Sequence, residues 1–201
     1  MANTHCLPFT RISVLVMLKA STFYFTDWIF MQKALLVVDL QNDYFPGGNF
    51  ELWNSSTVLH NTLKAIDKAK LQGVAIVLVQ HIANSANGTS PFFNEGSIGV
   101  EIHPAIRDAA PEAPIVIKRF ADSFEATELE KELSKLGTTE LLVCGMMTQN
   151  CVTHTAISRA AEKYKTSILT DCCTTVSELL HMIALSAVAT RMTLQTSTEA
   201  F

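Results

Sequence analysis

Three side chains in this sequence have types and positions suited to covalent catalysis: Cys151, Asp39 and Lys118. Cys151 follows an apolar run, Leu141-Leu142-Val143-Cys144, a glycine at 145 and a polar turn, and it opens a helix-like stretch. A thiol at a helix N-terminus is expected to lean towards the thiolate, because the unpaired N–H groups there carry partial positive charge. Leu35-Leu36-Val37-Val38 delivers Asp39, and Ile115-Val116-Ile117 delivers Lys118. A cysteine nucleophile needs a group to take its proton, a charge to favour the anion and donors for the developing oxyanion. Asp39 can supply the first, Lys118 the second and the turn at 145–150 the third. Taken singly, each residue has an ordinary reading: a small buried hydrophobe, a turn carboxylate, a solvated amine. Their coincidence at three strand ends is what points to a site.

The elements that must position them alternate. Apolar runs at 34–39, 74–79, 115–118, 140–144, 167–170 and 192–194 read as strands. The intervals 55–71, 127–136, 149–163 and 177–189 read as helices. Val58, Leu59, Leu63, Ile66, Ala69 and Lys70 give the first helix its inward face, and Gly73 ends it. Residues 80–114 form a long loop of the kind that usually carries function. This order predicts an α/β fold, a three-layer α/β/α arrangement on a six-stranded parallel sheet with Rossmann-like topology. Sites in such sheets lie at the carboxyl ends of strands where the strand order reverses. No dinucleotide fingerprint follows the first strand and no P-loop is present.

Composition narrows the class. At 201 residues with 48% hydrophobic and 17% charged side chains, the chain has the make-up of one compact domain. A net charge of −4, from 15 basic and 19 acidic residues, gives no reason to expect nucleic acid. Five irregularly spaced cysteines fit a reduced, cytoplasmic protein. Residues 1–30 read as an extension ahead of a domain at 31–201, since Lys19 and Asp27 interrupt the apolar stretch and no membrane span is expected.

Three segments, in order, resemble the isochorismatase-like cysteine hydrolases. Ala34-Leu35-Leu36-Val37-Val38-Asp39-Leu40-Gln41-Asn42-Asp43-Tyr44-Phe45-Pro46-Gly47-Gly48 is similar to the family's opening motif. Lys118 with Ser123-Phe124 and Thr127-Glu128-Leu129 resembles its lysine segment, and Cys144-Gly145-Met146-Met147-Thr148-x-x-Cys151-Val152 its nucleophile motif. Asp171, and His181 with Ala184-Leu185, match its C-terminal pattern. The resemblance implies an Asp39–Lys118–Cys151 triad, a cis peptide between Met146 and Met147, and an oxyanion hole built from the N–H groups of Met147 and Cys151. Nicotinamidases of this family carry an Asp-x-His metal element. Between the first two motifs this chain has Glu51, Trp53, His60 and His81 without that spacing. The likeness is instead to a metal-free amidohydrolase branch that includes streptothricin-hydrolase-like proteins, so no cofactor and no metal are expected.

The implied reaction is hydrolysis of an amide-type C–N bond of a small molecule, with a vinyl ether hydrolase or a silent oligomeric member as alternatives. Gln41, Phe45, His81, Phe92 and Phe93 are candidates for the substrate pocket. A homo-oligomer is the expected assembly. Cys172 and Cys173 are read as following a strand, Cys144 as inert core, and Cys6 as part of the extension.

Overall fold

The computed structural model describes residue 1 and residues 32–201, apart from 85 and 87. The expected extension at 1–30, with Cys6, therefore lies outside the described residues. In order, the elements are β1 (Gln32–Val38), α1 (Ser55–Leu71), β2 (Ala75–His81), α2 (Pro104–Ala109), β3 (Ile115–Lys118), α3 (Leu129–Lys135), β4 (Thr138–Met146), α4 (Thr153–Ala156), β5 (Lys165–Thr174), α5 (Glu178–Val188), β6 (Thr193–Gln195) and α6 (Ser197–Ala200). The six strands make one sheet in the order β3-β2-β1-β4-β5-β6, and every pairing is parallel. This is the α/β architecture the alternating pattern predicts. The order runs outward from β1 in one direction and from β4 in the other, so β1 and β4 flank the switch point.

Central strands of a parallel sheet are covered on both faces, and their composition follows from that. Residues 34–38 and 141–144 are fully or almost fully buried. On α1 the buried stripe is Ser55, Val58, Thr62, Ala65, Ile66 and Ala69. Lys70 turns outward and bonds the Ala109 carbonyl at 3.0 Å, so the inward face is rotated from the one the apolar spacing suggests.

Four local expectations are corrected. The loop 80–114 contains α2, started by Pro104 and capped by His103, whose Nδ1 accepts the Ala105 N–H at 3.2 Å. The single helix expected at 149–163 is three pieces: a wide π turn at Thr148–Val152, α4, and a 3₁₀ turn at Arg159–Lys163. Ser158 makes the break, with extended backbone at ψ 143° and a hydroxyl that accepts the Ala160 N–H. The fifth strand is longer than its apolar run, because a register shift opposite Val143–Gly145 interrupts the pattern. Cys172 and Cys173 therefore sit inside β5 instead of after it. A short C-terminal helix, α6, also closes the chain with a Thr196–Glu199 capping box. Among the described residues, no helix is long and apolar enough to cross a membrane.

Candidate active site

The site is built by three strand ends. Asp39 follows β1 with left-handed backbone (φ 54°), a conformation that aspartate tolerates better than most residues. Its N–H donates to Val79 O at 3.0 Å, and the side chain is fully buried. Lys118 ends β3, two strands away, and is almost fully buried as well. Cys151 lies in the π turn after β4, 2% exposed. The Met146–Met147 peptide at the head of that turn is cis. The Met147 carbonyl then accepts N–H groups from Asn150 at 3.0 Å and Val152 at 3.3 Å, which curls the turn around the thiol.

The structure brings the three chemistry-bearing residues together. The Lys118 ammonium is 2.9 Å from Asp39 Oδ2 and donates to Cys151 Sγ at 3.1 Å. It also donates to the Phe120 carbonyl at 3.1 Å and lies 2.9 Å from His81 Nδ1. Asp39 Oδ1 is buried with no hydrogen-bond partner among the described residues. Asp39, His81 and Cys151 each offer a ligand atom within 4.8 Å of the others, a spacing that suits a cation, and the Lys118 ammonium contacts all three, Asp39 as an ion pair.

Electrostatics correct one sequence expectation. The thiol is not biased towards thiolate by a helix terminus: only the four residues of α4 follow the turn. Burial, and then the Asp39 carboxylate, push the Cys151 thiol up to about 12, with Lys118 pulling the other way. Cys151 is thus a protonated thiol beside a base and an ammonium. For Lys118, burial lowers the pKa, but Asp39 and then Cys151 outweigh it and the net shift is upward. The ammonium stays charged. Burial and then the Lys118 charge lower His81, with Asp39 opposing them. Burial also drives the Tyr44 phenol far above its ordinary value, with the charges of Asp39, Cys151 and Asp43 adding to it.

The residues expected to line a pocket are placed around the first strand end and the 80–114 segment. Gln41 is fully buried; its Nε2 donates to His81 O at 2.8 Å and Val100 O at 2.6 Å, while its Oε1 accepts the His81 N–H at 2.8 Å. Phe45 packs against His103, with ring centroids 4.5 Å apart, and lines a cavity of about 560 Å³ with Gly48, Gly99 and His103. Phe92 and Phe93 pack around Tyr44 at 5.4 and 4.6 Å. Phe93 is held in a left-handed conformation (φ 61°), and its N–H donates to Asp43 Oδ2 at 2.7 Å. His81 Nδ1 lies beside the Lys118 ammonium, 2.9 Å away.

Sequence reading missed several supports. Asp43 ties the Phe93 loop and Asn49 to the segment after Asp39. His181 Nδ1 is 2.9 Å from Thr148 Oγ1, joining α5 to the turn that bears Cys151. Thr155 bonds Ser123 twice, Oγ1 donating to Ser123 Oγ at 2.8 Å and accepting from its N–H at 2.9 Å. The resemblance had marked His181 and Ser123 as positions, and nothing in one sequence assigns their partners. His154, one turn beyond the thiol, is exposed and bonds back to Asn150 O at 2.9 Å.

Comparison with known proteins agrees with this geometry. The isochorismatase domain model matches residues 33–200. An uncharacterized isochorismatase family protein of Bacillus subtilis (strain 168), YddQ, is 35% identical over 147 residues, covering 73% of this chain and 80% of that one. The nicotinamidase of Escherichia coli (strain K12) is 27% identical over 175 residues, covering 70% and 82%. A streptothricin hydrolase of Streptomyces noursei is 31% identical over 124 residues, covering 62% and 47%. Among solved structures, an isochorismatase family protein from Desulfovibrio vulgaris shares the fold with a TM-score of 0.76 at 22% identity, covering 84% and 95%. With a buried Asp39–Lys118–Cys151 cluster at the switch point of a six-stranded parallel sheet and the domain model matching almost all of the described chain, this protein is a member of the isochorismatase family of hydrolases.

Proposed function

We propose that the chain is a cysteine hydrolase that cleaves an amide-type C–N bond of a small molecule through a thioester on Cys151. One observation carries the reading: a single buried ammonium, Lys118, contacts both a carboxylate at 2.9 Å and a thiol at 3.1 Å. A thiol held near 12 is a poor standing nucleophile, so it needs its base at hand. As sulfur attacks the carbonyl carbon, the thiol proton passes to Asp39 and the carbonyl oxygen takes up negative charge. The N–H groups of Met147 and Cys151 are the donors we assign to that oxyanion. Collapse breaks the C–N bond, and Asp39 returns the proton to the departing amine. Water then adds to the thioester and gives a proton to Asp39. Release of the carboxylic acid hands that proton back to sulfur.

The amide reading is supported by two relatives, one named nicotinamidase and one streptothricin hydrolase. Phe45, Phe92 and Phe93 remain our candidates for shaping the substrate's approach, with Gln41 and His81 behind them. On this reading the chemistry needs no metal, since Lys118 supplies the positive charge. We place the enzyme in a reducing cytoplasm on the four buried, unpaired cysteines at 144, 151, 172 and 173. We also infer a homo-oligomer, because α5 exposes Leu179, Met182 and Ile183 on its outer face.

The test is intact-mass spectrometry during incubation with a panel of small primary amides, N-carbamoyl amines and lactams, with isochorismate as a separate arm. The expected result is an acyl adduct on Cys151 that disappears as carboxylic acid accumulates, and is absent in Cys151→Ala. Turnover of isochorismate with no adduct from any amide would replace the amide reading with vinyl ether hydrolysis.

A further inference from the structure

Lys118 reaches its partners by crossing a strand. It lies on β3, Asp39 follows β1, and β2 runs between them. Neighbouring strands are about 4.8 Å apart, so Lys118 and Asp39 reach towards each other across two such spacings. His81, the last residue of β2, is its register partner. The ammonium must therefore pass this imidazole on the way to the carboxylate.

The ammonium meets four acceptors there: Asp39 Oδ2 at 2.9 Å, His81 Nδ1 at 2.9 Å, Phe120 O at 3.1 Å and Cys151 Sγ at 3.1 Å. It has three N–H groups to give. An ammonium cannot accept, so His81 Nδ1 is the acceptor and the ring's single proton sits on Nε2. His81 and Phe120 O play no part in moving the reaction's proton. His81 Nδ1, Phe120 O and Cys151 Sγ each take one N–H in a hydrogen bond, and Asp39 Oδ2 is held as an ion pair.

We propose that His81 is a positioning residue: as the neutral Nε2–H tautomer it anchors Lys118, so that one N–H stays aimed at Cys151 while the thiol proton travels to Asp39. The inference rests on Cys151 being the nucleophile. Before attack the negative charge is on Asp39, and afterwards it is on sulfur, where the N–H aimed at Cys151 meets it. Without the His81 acceptor, one N–H would be released and could bond the Asp39 carboxylate. That favours the resting carboxylate and removes the drive towards thiolate.

The surroundings hold the imidazole in place. Gln41 takes the His81 N–H and gives to its carbonyl, both at 2.8 Å, which clamps the main chain of the residue. The Phe93 ring lies 5.9 Å from the imidazole. The charged and titratable groups facing it are Lys118 and Arg119 at the end of β3, Asp39 after β1, and Cys151 in the π turn. Three of these contacts involve Lys118 or its partners, so a proton on His81 would put two cations 2.9 Å apart and delete the acceptor. Burial and Lys118 keep it neutral.

The experiment compares His81→Asn, whose side-chain oxygen can stand near the Nδ1 position but does not titrate, with His81→Leu, which fills space and accepts nothing. Two readouts are taken: kcat and KM against pH on an amide found to acylate the enzyme, and the pH dependence of Cys151 alkylation by iodoacetamide, followed by peptide mass. The second needs no substrate. His81→Leu is expected to lose roughly 10²-fold or more in kcat with KM changed little, within the range of proton-transfer groups, and to alkylate at higher pH than the wild type. His81→Asn should recover at least a tenth of wild-type kcat and lose the acid limb of the profile. Thermal melts of both variants report whether packing alone has been disturbed. Equal activity in His81→Leu and wild type, or equal losses in Leu and Asn at equal melting temperature, would overturn the assignment. A Cys151 that never acylates while its alkylation still responds to His81 would instead overturn the hydrolase reading and leave the anchor intact.

Discussion

Gly145 packs directly on Val38: a Cβ at 145 would stand 2.0 Å from the Val38 carbonyl oxygen. The two residues are register partners on β4 and β1, at the switch point where Asp39 and the turn bearing Cys151 emerge. Gly145 also has φ 123°, which L side chains rarely adopt. The close approach is what lets β4 deliver the Cys151 turn beside Asp39.

Gly145→Ala should therefore cost stability and activity together. Backbone strain and a backbone-on-backbone clash place it among the larger single-site effects, at about 2 kcal/mol or more. Urea unfolding midpoints with an unchanged slope measure the loss. A variant as stable as the wild type would show that the strands can separate without consequence.

The thiol should titrate late, and its two charged neighbours should move it in opposite directions. With burial and Asp39 holding Cys151 near 12, alkylation should keep rising through the alkaline range instead of levelling near neutrality. Asp39→Asn should lower the thiol pKa, since the carboxylate raises it, yet hydrolysis should fall by roughly 10²–10⁴ because the base is gone. Lys118→Met should raise it. An unchanged alkylation profile in Lys118→Met would reduce the lysine to a structural role.

Acid should destabilise the fold early. His81, His103 and His181 all have pKa values lowered from the ordinary 6.5, chiefly by burial. The unfolded chain then binds protons more readily than the folded one below that value, so stability is full above 6.5 and falls as the pH drops through the lowered folded values. Melting temperature recorded from pH 8 down to 5 should decline from the histidine range, before carboxylates protonate. A flat curve to pH 5 would contradict the burial of these rings.

Activity should survive dialysis against EDTA, because the Lys118 ammonium contacts Asp39, His81 and Cys151 where a cation would bind them. Elemental analysis of the active protein should find well under one zinc, iron or manganese per chain. Metal in stoichiometric amount that tracks with activity would reverse the proposal.

A protein comprising residues 31–201 should fold and work like the full chain, since the family match runs over 33–200. Solubility, melting temperature and turnover compared side by side decide it. Aggregation of the shorter protein would show that the first thirty residues cover apolar surface.

Local sequence determined the elements whose information is local. The uninterrupted apolar runs before Asp39 and Lys118 mark strands buried on both faces, and β3 and α1 have the bounds that the pattern gives. Asp39, Lys118 and Cys151 could be picked out because each ends a strand or a strand-turn unit, the place where an open parallel sheet exposes side chains to a ligand. Tertiary structure alone decided how those residues work. Strand order put β2 between the lysine and the aspartate, so His81 became a contact of Lys118 at 2.9 Å. Burial turned an expected thiolate into a thiol held near 12, because desolvation acts through every atom packed around Cys151 and no sequence neighbour records it. Ser158 and the register shift opposite Val143 broke periodic patterns that read as continuous, since a side-chain cap and a cross-strand pairing are fixed by partners distant along the chain or absent from the repeat.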